Sequence, residues 1–219
     1  REGWSTAAFS AETSTQVHIL QLASLYAQKP FHGPNKMTQP QLEEAMAWVE
    51  TKYVFLDEGE TTIDSVIERA EAAVMRNGVR ALYIDPFNFL SQEKPVEGEN
   101  GQRGINDLLV RLKTFAVAHD VAVMLVAHPA KFHQHLNQGR VPTGYDISGS
   151  AHFFNICDNG ITLSRDKNKP GTSKLTSWKA RFTWLGSVGE CELGFNPVDC
   201  SFNTKQEWGD NDSDWDIDL

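Results

Sequence analysis

The runs Ala81-Leu-Tyr-Ile84 and Val121-Ala-Val-Met-Leu-Val126 decide the fold. Each is unbroken in its apolar character, and each follows a segment with apolar residues at helical spacing. Ile63, Val66, Ile67, Ala70, Ala73 and Val74 form the first stripe; Ile105, Leu108, Leu109, Leu112, Phe115 and Ala116 form the second. Residues three and four apart share a helix face, so each segment has one face to bury. A strand that is apolar throughout is buried on both sides, as in a parallel sheet covered by helices. Strand, helix, strand is therefore a βαβ unit, with a right-handed crossover.

Outward from this unit the alternation continues. Trp4-Ser-Thr-Ala-Ala-Phe9 reads as a strand, and Thr13 to about Gln28 as a helix. Lys29 to Pro40, rich in Pro and Gly, is a loop. Leu42, Ala45, Met46 and Val49 recur at helical spacing, and Tyr53-Val-Phe-Leu56 is a short strand. After residue 130 the character changes. Ala130 to Tyr145 is polar and aperiodic. A short helical patch (Ser150 to Ile156) and a strand (Gly160 to Leu163) follow. Two more strands, Leu175 to Thr183 and Glu190 to Phe195, are joined by the turn Gly186-Ser-Val-Gly189. The expected fold is α/β: a mostly parallel central sheet with helices on both faces and an antiparallel C-terminal edge. There are no internal repeats.

With 219 residues and 40% hydrophobic content the chain can bury one sizeable core. No apolar run is long enough to span a bilayer and no signal peptide opens the chain, so no membrane partner is expected. Cys157, Cys191 and Cys200 are odd in number and lack metal spacing, which argues against a disulfide scaffold and fits a reduced, cytosolic compartment. The net charge of -9 is concentrated at one end. After Lys205 come Glu207, Asp210, Asp212, Asp214, Asp216 and Asp218, and without them 23 acidic residues face 20 basic ones. Basic loops on the body are thus free to hold a phosphate backbone. Residues 1–204 read as one core and 205–219 as an acidic disordered tail, either inert or, through Trp208 and Trp215, a docking peptide. Because a strand pattern begins almost at Arg1, with no initiator methionine, the chain is expected to be a fragment of a longer protein.

In open α/β sheets, ligands bind at the carboxyl ends of the strands. There the sequence places Glu12, Asp85 and His128, one after each of three strands. An aspartate directly after a buried strand is the arrangement that holds the water shell of a nucleotide-bound magnesium ion. Singly each has a plainer explanation: Asp85-Pro86 is a good turn, Glu12 a helix-dipole partner, His128 a structural histidine. Together, in this order, they point to nucleotide chemistry. Lys179 and Arg181 stand two apart on a strand and so share a face. They are either solvated edge residues or a charge-neutralising pair that reaches the nucleotide of a neighbouring subunit.

These motifs together resemble the DnaB-like replicative helicases, in the branch that holds the phage primase-helicases and Twinkle. The resemblance runs from about Gly3 to Phe195. Phe9-Ser10-Ala11-Glu12 is similar to the family's strand ending in the catalytic glutamate, and Leu82-Tyr-Ile-Asp85-Pro-Phe-Asn88 to its Walker B. Val126-Ala-His128-Pro-Ala-Lys131 resembles the motif that senses the γ-phosphate and continues into a DNA-binding loop. Tyr145-Asp-Ile-Ser148-Gly149-Ser150-Ala151 through Asp158 is similar to a second DNA-binding loop with its short helix. Lys179-Ala-Arg181-Phe, followed by Gly186 and Gly189, resembles the in-trans finger motif, and Arg165 stands where the family contacts the nucleotide base.

The resemblance implies a RecA-type motor that hydrolyses ATP or another nucleoside triphosphate with Mg2+. Asp85 would hold the metal through water, Glu12 would polarise the attacking water, and His128, Lys179 and Arg181 would complete the catalytic set. It further implies a hexameric ring of identical subunits around single-stranded or forked DNA. The DNA would be gripped by Lys131, Arg140 and the main chain of Ser148, Gly149, Ser150 and Ala151. The acidic tail could engage a DNA polymerase. The implied location is the replication fork, in the cytoplasm of a bacterial or phage-infected cell. One departure stands: no GxxxxGK[ST] loop occurs anywhere in the chain, so nothing cradles the β- and γ-phosphates. This polypeptide by itself is expected neither to bind ATP tightly nor to hydrolyse it. A RecA- or clock-type ATPase without unwinding, and a non-catalytic remnant that binds DNA or a partner, are the alternative readings.

Overall fold

A computed structural model describes residues 3–56, 59–90, 101–129, 140–147, 151–165, 169 and 171–204. The first half alternates strand and helix: β1 (Thr6–Ser10), α1 (Thr15–Ala27), α2 (Gln39–Lys52), β2 (Tyr53–Phe55), α3 (Ile63–Asn77), β3 (Ala81–Asp85), α4 (Gly101–His119) and β4 (Ala122–Leu125). The second half is α5 (His152–Ile156) followed by β5 (Asn159–Arg165), β6 (Thr172–Ala180), β7 (Gly189–Asn196) and β8 (Ser201–Thr204).

β1 to β4 form one parallel sheet in the order β2-β1-β3-β4. Parallel pairing sets Ala7 opposite Leu82, and Leu82 opposite Val123, so alternate residues of neighbouring strands line one face. That face carries the core. Ala7, Leu82, Ile84 and Val66 are fully buried, and Ile105, Leu108, Leu112 and Phe115 of α4 close over them beside Ala70 and Ala73 of α3. Burial of side chains of this size contributes roughly 1.5–3 kcal/mol each, which is what fixes the two helices to the sheet. α3 starts and stops where its sequence dictates. The Thr62 hydroxyl accepts from the Ser65 amide, and Gly78, at φ 64°, ends the helix with its N–H on the Val74 carbonyl.

Two expectations need correction. β4 is not buried on both sides: Met124 is 64% exposed and Ala122 is exposed too, because β4 lies at the edge of the described sheet. The antiparallel strands do not extend the parallel sheet but make a sheet of their own, in the order β5-β6-β7-β8. Besides the packing of α5, the isolated bridge of Pro129 with Ile147 and the ion pair of Lys113 with Asp158 join the two halves. Strand boundaries also move. β6 ends at Ala180 and not at Thr183, and the chain reverses at Thr183–Leu185, ahead of Gly186 to Gly189. β8, with the sequence Ser-Phe-Asn-Thr, carries too little apolar character for its pattern to announce a strand. The tail 205–219 lies outside the described residues.

Candidate active site

Because β1, β3 and β4 run in parallel, their carboxyl ends share one edge. The register sets Ser10 opposite Asp85, and the Ala11 amide donates to the Asp85 carbonyl at 3.0 Å. On the other side the Val126 amide donates to Ile84 (2.9 Å) and the Phe87 amide to Val126 (2.7 Å), so the three segments leave the sheet laced together. Glu12 and His128 consequently meet: Oε2 lies 3.5 Å from Nε2 across the gap between β1 and β4, which β3 separates. Both side chains are more than half exposed, so this contact adds little stability by itself. Its interest is position. A carboxylate and an imidazole face an open edge beside a third group, Asp85.

Asp85 is held from within its own strand. The Tyr83 hydroxyl donates to Asp85 Oδ2 at 2.8 Å, and burial, then the bond to Asp85 and its charge, push the Tyr83 phenol above its ordinary range. The residue therefore stays a donor and orients the carboxylate. Asn88, in the turn after β3, accepts the His128 amide at 3.3 Å and ties the end of β4 to the Asp85 segment. Neither Tyr83 nor Asn88 was singled out in the sequence. For Tyr83 the signal was present, since it stands two residues from Asp85 and so on the same strand face. Magnesium keeps several waters and takes one or two carboxylates plus phosphate oxygens. A lone, oriented Asp85 fits that demand. Among the described residues no cluster of three or more His, Cys, Asp or Glu could hold a metal unaided.

Lys179 and Arg181 share a face as their spacing requires, but what stands opposite is α5. Lys179 Nζ donates to the carbonyls of Phe154 and Asn155, the latter at 3.3 Å, and lies 5.0 Å over the Phe154 ring. Arg181 NH2 reaches the carbonyls of Asn155 (3.0 Å) and Ile156 (3.4 Å), and NH1 lies 3.2 Å from Asp158. The two cations thus satisfy the free carbonyls at the end of α5. Lys113 of α4 pairs with the other oxygen of Asp158. Arg165 lies over the Phe195 ring at 4.6 Å, and Phe202 packs on Phe195 with centroids 5.0 Å apart. The guanidinium is thus held against an aromatic ring at the end of β5.

Of the expected DNA contacts, Arg140 forms a two-pronged pair with Asp146 at 3.0 and 2.5 Å. Its bond, against partial burial and with help from the Thr143 amide and hydroxyl, holds the Asp146 carboxyl below the usual range. Ala151 precedes α5, its carbonyl accepting the Asn155 amide at 2.8 Å. Lys131, Ser148, Gly149 and Ser150 lie outside the described residues. A cleft of about 350 Å³ opens between β2 and α3, lined by Val54, Phe55, Arg69 and Arg76; it includes none of the strand-end residues.

The comparisons with known proteins fall on this geometry. The AAA domain family matches residues 20–134, which include Asp85 and His128. Over 215 residues the chain is 37% identical to the Twinkle homolog protein, chloroplastic/mitochondrial, of Arabidopsis thaliana, an alignment covering 92% of this chain and 30% of that protein. In three dimensions it is similar to a solved ATPase domain, with TM-score 0.76, 17% identity, and coverage of 92% of this chain and 74% of the other. It is also similar to a DnaB-like replicative helicase solved for its interactions with primase, with TM-score 0.74, 17% identity, and coverage of 91% and 51%. The chain therefore spans less than a third of the length of the curated relative it matches. Among the described residues no helix is long and apolar enough to cross a membrane.

Proposed function

Because this chain belongs to the AAA domain family and has the RecA-type fold of the DnaB-like helicase ATPase domains, we propose that it is the motor portion of a ring-forming, ATP-driven replicative DNA helicase. The observation that carries this reading is the meeting of Glu12 and His128 at 3.5 Å on the strand edge where Asp85 also emerges. Three groups of the types that phosphoryl transfer uses share the carboxyl edge of the parallel sheet, the edge at which open α/β sheets bind their ligands, and this supports the reading.

In this reading Asp85, oriented by Tyr83, holds the water shell of Mg2+, which when bound neutralises charge on the phosphates. Glu12 polarises the water that attacks the γ-phosphorus and takes up its proton as the bond to the leaving oxygen breaks. His128, in contact with Glu12 and bonded through its amide to Asn88, would register loss of the γ-phosphate and pass that change toward Lys131. Arg165 and Phe195 supply the surface for the base. Lys179 and Arg181 of one subunit complete the site of the next, around a hexameric ring through which single-stranded DNA threads. The chain lacks a phosphate-binding loop, so catalysis belongs to the intact protein and not to these residues alone.

The test is strand displacement on a forked DNA by the intact protein with ATP and Mg2+. Displacement that depends on ATP and weakens steeply with added salt is expected, since the grip is on phosphates. ATP hydrolysis without displacement would replace the helicase reading by that of a RecA-type ATPase, and neither activity would favour a non-catalytic binding module.

A further inference from the structure

Arg181 is seated inside its own subunit, and its terminal nitrogens are engaged there. NH1 faces Asp158 Oδ1 at 3.2 Å, and NH2 is shared between the carbonyls of Asn155 and Ile156. A guanidinium in this position has to give up part of the seat before it offers a two-pronged face to a phosphate. We propose that Asp158 is a positioning residue that holds Arg181 in a resting seat. Arg181 leaves this seat to meet the nucleotide of the neighbouring subunit, while Lys113 stays behind to neutralise the carboxylate. The inference rests on the reading of Arg181 given above.

Four features of the seat suit it to exchange. The main chain is fixed, because the Arg181 amide donates to the Asp158 carbonyl at 2.8 Å, so the side chain moves while its root does not. The carboxylate keeps a cation when Arg181 departs. Asp158 Oδ1 is buried and takes no aligned hydrogen bond, so it loses only the 3.2 Å charge contact, while Lys113 remains on Oδ2 of the same carboxylate. There is also room: a hollow of about 280 Å³ lies against Arg181, lined by Val110, Lys113, Thr114, Asn155 and Ile156. Finally, the hold is weak enough to release. The contact with Asp158 is not an aligned hydrogen bond, and the two side chains are 39% and 31% exposed, so the pair is far from the fully enclosed, two-pronged geometry that holds an arginine fast.

The seat is linked to the proposed DNA contacts through α5. That helix has five residues, its first turn follows directly on Ala151, and its last carbonyls are the ones that Arg181 and Lys179 hold. A displacement of Ala151 by bound DNA would therefore act on the same five-residue helix whose last carbonyls form the seat.

Two variants of the intact protein test this, because the seat predicts opposite signs for them. Asp158→Asn weakens the hold and raises nucleotide turnover without DNA about two- to fivefold, the factor that such an ion pair is worth. Lys113→Met leaves Arg181 as the remaining cation on Asp158, tightens the hold and lowers that turnover by a similar factor. Asp158→Glu, which keeps the charge, holds turnover near the wild-type value. A role in folding alone would move the first two variants in the same direction, and that result, or no change in either, overturns the seat. Should Asp158→Asn fail to fold, Lys113→Met decides alone, with unchanged or raised turnover as the contrary result. Arg181→Ala is the control on the underlying reading: it should cut hydrolysis by about 10³-fold or more while sparing nucleotide binding. Full turnover in that variant removes Arg181 from the finger role, whatever the other variants show.

Discussion

Tyr83 and Asp85 illustrate how a strand prepares a functional group. Alternation puts both on one face of β3, while Leu82 and Ile84 on the other face are buried without remainder in the core. The carboxylate at the strand end is thereby anchored by its neighbours and oriented by a phenol that burial keeps protonated. Removing the hydrogen-bond partner of a metal-holding carboxylate typically costs about 10–100-fold in metal affinity. Tyr83→Phe keeps the ring and its packing and should raise the Mg2+ concentration for half-maximal hydrolysis in the intact protein by about tenfold; an unchanged Mg2+ dependence would show that the Tyr83 hydroxyl plays no part. Glu12, Asp85 and His128 were legible in the sequence because strand ends are legible, and a parallel sheet gathers them on one edge. The engagement of Lys179 and Arg181 with α5 was not. Spacing shows which side chains share a face, not what folds against it, and Asp158 and Lys113 sit far apart in sequence with no pattern that relates them.

At the scale of elements, the strongest constraint in the second half is the junction of β5 and β6. The pairing slips between Gly160 and Ile161, so Trp178 bulges out of register and lays its ring against Gly160. A Cβ on Gly160 would meet that ring at 2.2 Å, and one on Gly144 would meet it at 2.8 Å. The ring has no slack to give. Trp178 Nε1 donates to Thr162 Oγ1 at 3.1 Å, Thr162 donates to the Pro142 carbonyl at 2.7 Å, and the indole stacks on Phe154 with centroids 5.4 Å apart. Gly160→Ala should destabilise the fold by about 1–3 kcal/mol through overpacking. A denaturant midpoint equal to that of the wild type would show that the bulge relaxes freely. This junction explains why the antiparallel half was only partly readable. Apolar alternation announces that β5, β6 and β7 are strands, yet it cannot say whether they extend the first sheet or close a second one. That outcome depends on contacts such as Trp178 with Gly160, which no local pattern contains.

The whole molecule divides the work between its two sheets. The parallel sheet, packed on α3 and α4, presents Glu12, Asp85 and His128 along one edge. The antiparallel sheet carries Arg165 on Phe195, and Lys179 and Arg181 on α5. The parallel half follows from amphipathic stripes and apolar runs that act locally, which is why it could be read with near-correct boundaries. The relation between the halves rests on long-range pairs, Lys113 with Asp158 and Pro129 with Ile147, and came only with the structure. In this account chemistry occurs at the parallel edge, and the measurement that bears on it most directly is ATP turnover of Glu12→Gln in the intact protein, with nucleotide binding followed alongside. Loss of a positioned general base costs about 10²–10⁴-fold. The account predicts a fall of at least about a hundredfold with binding retained; turnover near the wild-type rate would contradict it.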